Sequence, residues 1–251
     1  MFEHLRNTKP YHSTVVLVGD PARAEFIAKH YLKQTECLTT HRGLLGFNGT
    51  YHHQPLSIQT TGMGSASAAI VMEELIQAGV ATFYRLGSCC LLSSTTSPLD
   101  DESIPMMVPT QASSRARIHD NYHHWLQTWL QPNYQPNHLV VSKLLLAARR
   151  KKLRVKAVAI ASVDAYYNHQ LDTEIQRLLR RGVQAIDMET STIFDIAAHY
   201  QKSAVALLNP YDVLEYNQVQ HSSSHRVLPT TPYRQRTKLM IELALNQIAG
   251  Q

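Results

Sequence analysis

Thr14-Val15-Val16-Leu17-Val18, then Gly19-Asp20-Pro21, then the amphipathic stretch Ala22 to Leu32, is the segment on which the fold turns. A continuous β-branched run with no polar alternation is a strand buried on both faces. Asp20 supplies an N-cap and Pro21 a first helical position, so a helix follows at once. The same grammar repeats outward. Gly43 to Gln59 alternates around His52-His53-Gln54-Pro55 as a hairpin running into a strand that ends at Thr61. Gly62-Met63-Gly64-Ser65 precedes an Ala-rich helix from Ser67 to Gln77 closed by Gly79, and Ala81 to Leu86 is a strand ending in Gly87-Ser88. Residues Ser93 to Asn137 form a long irregular excursion with one strand near Pro105 to Val108. Beyond it come a helix over 139–153, a strand at Val155 to Ser162, a helix at Gln170 to Arg181 and a strand at Val183 to Met188. A helix at Thr190 to Gln201, a strand at Ala204 to Leu208 and a helix at Tyr233 to Ile248 complete the series. Apolar strands alternating with helices imply one α/β domain over residues 1–251, its mixed, mainly parallel central sheet flanked by helices.

Composition narrows the class. The 251 residues carry 24 Lys and Arg against 19 Asp and Glu, a net charge of +5, with 17% charged and 44% hydrophobic residues. This excludes a disordered or acidic-tail protein. No apolar run approaches the roughly 18 residues of a membrane helix, and Met1 to Thr14 is polar and His-rich, so a soluble, cytoplasmic protein with no membrane partner is expected. The basic run Arg149, Arg150, Lys151, Lys152, Arg154 closes a helix whose dipole it complements; with no interleaved aromatic residue, it does not predict nucleic-acid binding. Cys37, Cys89 and Cys90 have no disulfide-framework or metal spacing, and the adjacent pair reads as two packed thiols.

Ligands of open α/β sheets sit beyond the carboxyl ends of the strands, so the residues there are the candidates for a site. The first strand ends in Gly19, Asp20 and Pro21, with Arg23 in the first turn of the helix, a combination suited to an anion. Arg85 lies among Phe83, Tyr84 and Leu86 and must be paired, by an anionic ligand or by a buried carboxylate. Asp187 and Glu189 straddle Met188 where a strand becomes a helix. Alternation points both acids to one side, where sugar hydroxyls are natural partners; the plainer reading is that Glu189 favours the helix start. Asn209-Pro210-Tyr211-Asp212 places another carboxylate at the same edge.

Taken together, GDPAR at 19–23, HRGLLGFNGTY at 41–51, TGMGSASA at 61–68, RLGSC at 85–89, DAYY at 164–167 and DMETSTIF at 187–194 resemble the nucleoside phosphorylase family, which contains the bacterial hexameric purine enzymes and uridine phosphorylase. The resemblance implies a nucleoside phosphorylase-like fold and a pentosyltransferase that splits purine nucleosides into free base and ribose 1-phosphate. Inorganic phosphate would be the co-substrate, with no metal or organic cofactor. It implies a phosphate site of Gly19, Arg23, Arg85 and Ser88, joined by Arg42 of a neighbouring subunit. Ribose would meet Met63, Met188 and Glu189, with His4 of the neighbour near the 5′-hydroxyl. Cys89, Val163, Tyr166 and Ile186 would line the base site, and Asp212 would protonate purine N7. A homo-oligomer with shared sites, a hexamer built from dimers, is implied as well.

The chain departs from the family pattern at several places. Cys90 stands for a glycine, Tyr211 for a small residue and Asp187 for a glutamate. The arginine that assists the acid falls at His225, with Arg226 one position on; Arg226 takes the role here. Gln170 matches a uracil-holding glutamine whose arginine partner is replaced by Asp172, which favours purine. Uridine phosphorolysis, or nucleoside binding without turnover, are the alternatives. His119, His123 and His124 have helix-compatible metal spacing in a His-rich irregular segment, and no metal is expected there. Gly62-Met63-Gly64 lacks the third glycine of a dinucleotide fingerprint.

Overall fold

The computed structural model describes residues 3–94, 101, 103–114, 133–167, 171–217, 220 and 222–251. The strands are β1 (Thr14–Val18), β2 (Lys33–Thr39), β3 (Gly46–Tyr51), β4 (Gln54–Thr60), β5 (Thr82–Ser93), β6 (Met106–Ser114), β7 (Asn133–Tyr134), β8 (Val155–Ser162), β9 (Val183–Asp187), β10 (Ser203–Asn217) and β11 (Ser222–Val227). The helices are α1 (Pro21–Tyr31), α2 (Ser65–Gln77), α3 (His138–Arg150), α4 (Leu171–Arg180), α5 (Thr190–His199) and α6 (Thr230–Ile248).

One sheet runs β11-β10-β6-β8-β9-β5-β1-β4-β3-β2, with β7 beside β6. Its long central pairings are parallel: β1 with β4 and β5, β5 with β10, and β8 with β6 and β9. Because β10 also joins β5, the strands β5, β9, β8, β6 and β10 close on themselves. The first half of β5 thus lies between β1 and β10, and its second half between β9 and β10.

The apolar strands are buried on both faces. Val15 and Leu17 pack with Ala68, Met72 and Leu75 of α2 and Ile193 and Phe194 of α5, whereas Val16 and Val18 pack with Ile27 of α1, Leu144 of α3 and Ile241 of α6. Asp20 caps α1 by accepting from Ala22 N at 2.9 Å, and Asn137 caps α3 by accepting from Val140 N at 3.2 Å. The run at 149–154 ends α3, where its cations oppose the C-terminal dipole. No helix among the described residues is long and apolar enough to cross a membrane.

Three strands run further than their sequence suggests, β6 reaching Ser114 and two more extending at the cavity. β5 continues through Gly87-Ser88-Cys89-Cys90 instead of turning, and β10 continues through Asn209-Pro210. Gly87 is a packing residue: a Cβ there would stand 2.7 Å from Arg85 Nη2 and 2.9 Å from Leu208 Cδ2. Pro210 sits at a bulge, where its missing N–H costs no ladder bond, and the register slips between Pro210 opposite Cys89 and Asp212 opposite Cys90. The extra residue, Tyr211, is turned outward to 43% exposure, and Asp212 is turned inward to 3%.

Candidate active site

A cavity of about 900 Å³ opens where β1, β5, β9 and β10 end, within the range that holds small ligands (about 300–1,000 Å³). Gly19, Arg23, Arg42, Met63, Arg85, Ser88, Cys89, Val163, Tyr166, Ile186, Met188, Glu189 and Asp212 all border it. Among the residues assigned from sequence, His4 and Arg226 do not.

One pole carries two arginines. Arg23 Nη1 donates to Leu86 O at 3.0 Å, and its Nη2 donates to Tyr233 Oη at 2.9 Å and Ser88 Oγ at 3.3 Å. Ser88 Oγ and Tyr233 Oη lie 2.8 Å apart, so α6 braces both groups. These partners are all neutral oxygens, which leaves the charge of Arg23 uncompensated by them. Arg85 is 2% exposed. Its Nη2 donates to Asp187 Oδ2 at 2.9 Å and Glu189 Oε2 at 2.6 Å, and its Nε to Asp187 Oδ2 at 3.2 Å and Thr190 Oγ1 at 3.1 Å. The buried partner left open by the sequence is therefore a pair of carboxylates. Arg85 Nη1 is buried with no hydrogen-bond partner among the described residues. A donor in that state costs about 1–3 kcal/mol unless something accepts from it.

Asp187 and Glu189 do share a side, as alternation requires, and they meet on one guanidinium. Asp187, not Glu189, begins α5 by accepting from Thr190 N at 3.0 Å, and it takes the Ser162 hydroxyl at 2.6 Å. Glu189 Oε1 accepts from Gly64 N, and Gly64 reaches that position with φ +87°, a left-handed backbone that favours glycine. Burial pushes the Glu189 carboxyl above its ordinary range; Arg85 pulls it back and Asp187 pushes it up again. Ser65 Oγ donates to Met188 O at 2.9 Å, tying the α2 turn to the same junction.

The opposite pole is a buried acid. Asp212 Oδ2 accepts from Tyr166 Oη at 3.1 Å and lies 2.7 Å from His225 Nε2. Burial, with Asp212 next, pushes the Tyr166 hydroxyl up to about 12. Burial likewise pushes the Cys90 thiol far up, with the Asp212 charge adding to it, and Cys89 shifts the same way; both remain thiols at neutral pH. Cys90 borders the cavity without closing it.

Strand alternation corrects the choice of Arg226. Asp212 pairs with Val227, Val213 with Arg226 and Leu214 with His225, so His225 lies diagonally from Asp212 on its own face while Arg226 points to the other. There Arg226 Nη1 donates to Asp101 Oδ1 and Nη2 lies 3.8 Å from Glu215 Oε1. The strand Ser222–Val227 is too polar to announce itself; reading it as a strand is the step that would have selected His225.

Arg42, placed by the resemblance in a neighbour's pocket, is exposed with φ 55° and borders the cavity of its own chain. His4 is held by Glu74, which accepts from His4 N at 2.9 Å and Leu5 N at 2.8 Å and lies 2.8 Å from His4 Nδ1. Asp172 accepts from Ser223 N at 2.8 Å. His119, His123, His124 and Gln170 lie outside the described residues. No group of His, Cys, Asp or Glu that could hold a metal occurs among the described residues.

The sheet thus opens on one cavity with arginines at one end and a buried acid at the other. Residues 13–224 match the model of the phosphorylase superfamily, and the chain belongs to that family. It is 34% identical over 200 residues to a DeoD-type purine nucleoside phosphorylase of Bacillus velezensis, covering 79% of this chain and 82% of that protein. It is 28% identical over 235 residues to a DeoD-type purine nucleoside phosphorylase of Bacillus cereus, covering 93% and 94%. A solved structure of purine nucleoside phosphorylase from Toxoplasma gondii in complex with immucillin-H superposes with a TM-score of 0.75 over 96% of this chain and 92% of that one. At 19% identity this match speaks to fold alone.

Proposed function

We propose that this chain phosphorolyses purine nucleosides, passing the pentosyl group from the base to inorganic phosphate. The observation that carries the reading is the two-pole cavity: Arg23 and the unsatisfied Nη1 of Arg85 at one end, and Asp212 at the other. A dianionic phosphate at the arginine pole takes charge-assisted hydrogen bonds from Arg23, Arg85 and Ser88, each worth about 1.5–3 kcal/mol. Glu189 and Met188 flank the sugar, and Cys89, Val163, Tyr166 and Ile186 the base. As the C1′–N9 bond lengthens, positive charge grows on the sugar; phosphate stabilises it and then attacks C1′. The departing base takes a proton from Asp212 at N7. The co-substrate is phosphate, and the reaction as written draws on no cofactor.

Uracil fits less well, because Asp172 stands where the uracil-holding arginine would be and is engaged with Ser223. The decisive test is base release from inosine, guanosine, adenosine and uridine with and without phosphate. Purine release that needs phosphate and yields ribose 1-phosphate is expected. Release at equal rates in phosphate-free buffer overturns phosphorolysis, and a preference for uridine overturns the purine assignment.

The proposal extends to a homo-oligomer, a hexamer built from dimers, in which Arg42 and His4 serve an adjoining pocket; the exposure of Arg42 gives a long cation the reach to do so. Arg42→Ala and Asp212→Asn assemblies are each expected to be impaired. When the two are refolded together, some pockets combine intact Arg42 from one chain with intact Asp212 from the other, and activity rises above the average of the two parents. Activity that stays at that average shows that each pocket is built from one chain.

A further inference from the structure

We propose that His225 is the proton relay of this site, a positioning residue that refills Asp212 from solvent and thereby makes turnover depend on pH through a histidine. The proposal rests on the phosphorolytic reading above. Its basis is a gradient of exposure along one hydrogen-bonded pair. The Asp212 side chain is 4% exposed and the His225 side chain 40%, with Nε2 and Oδ2 2.7 Å apart. The acid that must meet the base is buried, and the side chain that touches it is partly open to water.

The other groups around the pair are a phenol, a thiol, carboxylates and an arginine, none of which ordinarily changes charge between about pH 5 and 8. From the segment after β8, Tyr166 donates to the same Asp212 oxygen, and its hydroxyl is pushed up to about 12. From β5, the Cys90 thiol is raised well out of the neutral range. From α4, Asp172 is bonded to Ser223 of β11, and Glu174 borders the same cavity. On the other face of β11, Arg226 is occupied by Asp101 and Glu215. An arginine next to the acid stays charged at every physiological pH and cannot pass a proton on, whereas a histidine does both within roughly pH 5–8.

The step balances as follows. The C1′–N9 electron pair leaves with the base, whose N7 takes the proton carried by Asp212, and a phosphate oxygen forms the new bond to C1′. His225 then gives its Nε2 proton to Asp212 Oδ2, and the neutral imidazole takes up a proton from solvent at Nε2 as the ring turns out, balancing the proton that the phosphate hydroxyl releases once its oxygen is bonded to C1′. Deprotonation of His225 stops the refill, so activity falls as pH rises.

The test is kcat at saturating phosphate between about pH 5.5 and 9 for wild type, His225→Arg and His225→Gln, on inosine and on 7-methylinosine. Wild-type turnover of inosine is expected to fall about tenfold per pH unit on the alkaline side. His225→Arg flattens that limb, and His225→Gln flattens it with a loss of roughly tenfold or more. The 7-methylated substrate needs no proton at N7, so its profile is expected to be the same in all three proteins, and it carries whatever phosphate and substrate ionisation contribute. An alkaline limb retained in His225→Arg, or a wild-type rate and profile in His225→Gln, overturns the relay while leaving phosphorolysis intact. A wild type that phosphorolyses neither substrate overturns the functional reading and the relay with it. If both variants fail to fold, the His225 ring is titrated by NMR in wild type and Asp212→Asn. A ring whose titration is the same in both is not coupled to Asp212.

Discussion

Asp212→Asn is expected to slow phosphorolysis of inosine and guanosine by roughly 10²-fold or more, the scale of one lost general acid. Asparagine keeps the shape of the side chain and an oxygen able to accept from Tyr166 and His225, so the bulge at Pro210 and Tyr211 survives. What it lacks is a proton to give. A 7-methylated purine nucleoside already carries positive charge on the ring that must leave, so the same substitution is expected to cost it much less. Comparing kcat/KM on the two substrates separates chemistry from architecture. An equal loss on both means that Asp212 holds β10 against β5 and does nothing to the base.

How much of this was legible in the sequence depends on where the information resides. The central strands announce themselves because burial on both faces demands uninterrupted apolar residues, as at Thr14–Val18 and Ala204–Leu208. The start of α1 is equally plain, since Asp20 satisfies a local amide, whereas the matching role of Asn137 at α3 shows only in the structure. The continuations of β5 and β10 are not plain. Glycine and proline usually punctuate chains. Here Gly87 is small so that the Arg85 guanidinium fits against it, and Pro210 occupies a bulge that only the partner strand defines. Those are tertiary reasons, invisible in a window of neighbours. β11, reading Ser222-Ser223-Ser224-His225-Arg226-Val227, carries no apolar alternation, and its pairing with β10 alone makes it a strand.

The same limit separates the two kinds of site residue. Gly19, Arg23, Ser88 and Glu189 follow from strand ends, and the structure gathers them at one opening. Residue type favours Arg226, the arginine one position past the expected place, whereas register decides which of two adjacent residues faces the acid, and it selects His225. The need of Arg85 for a partner was readable from its apolar neighbours. That both nearby acids would serve it together was not, because the meeting depends on β9 and α5 folding over β5.

That meeting sets the last expectation: Arg85→Ala removes phosphate turnover and also lowers stability by about 3–5 kcal/mol, the cost of stranding buried charges. The guanidinium is the charge partner of both Asp187 and Glu189, and the three side chains are 2%, 1% and 9% exposed. In the wild type, burial raises the Glu189 carboxyl, Arg85 opposes that rise and Asp187 reinforces it. Without Arg85 the two raising influences are opposed only by backbone N–H groups of Gly64 and Met188, so the folded protein holds a proton on Glu189 at a pH where the unfolded chain has released it. Folding then takes up protons, and stability falls as pH rises from the ordinary carboxylate range toward the elevated folded value. The variant should therefore gain thermal stability on mild acidification, relative to wild type at the same pH. Denaturant unfolding at several pH values measures this directly. A variant within about 1 kcal/mol of wild type at neutral pH, with a parallel pH dependence, would mean that water enters to solvate both acids and that the triad contributes little to the fold.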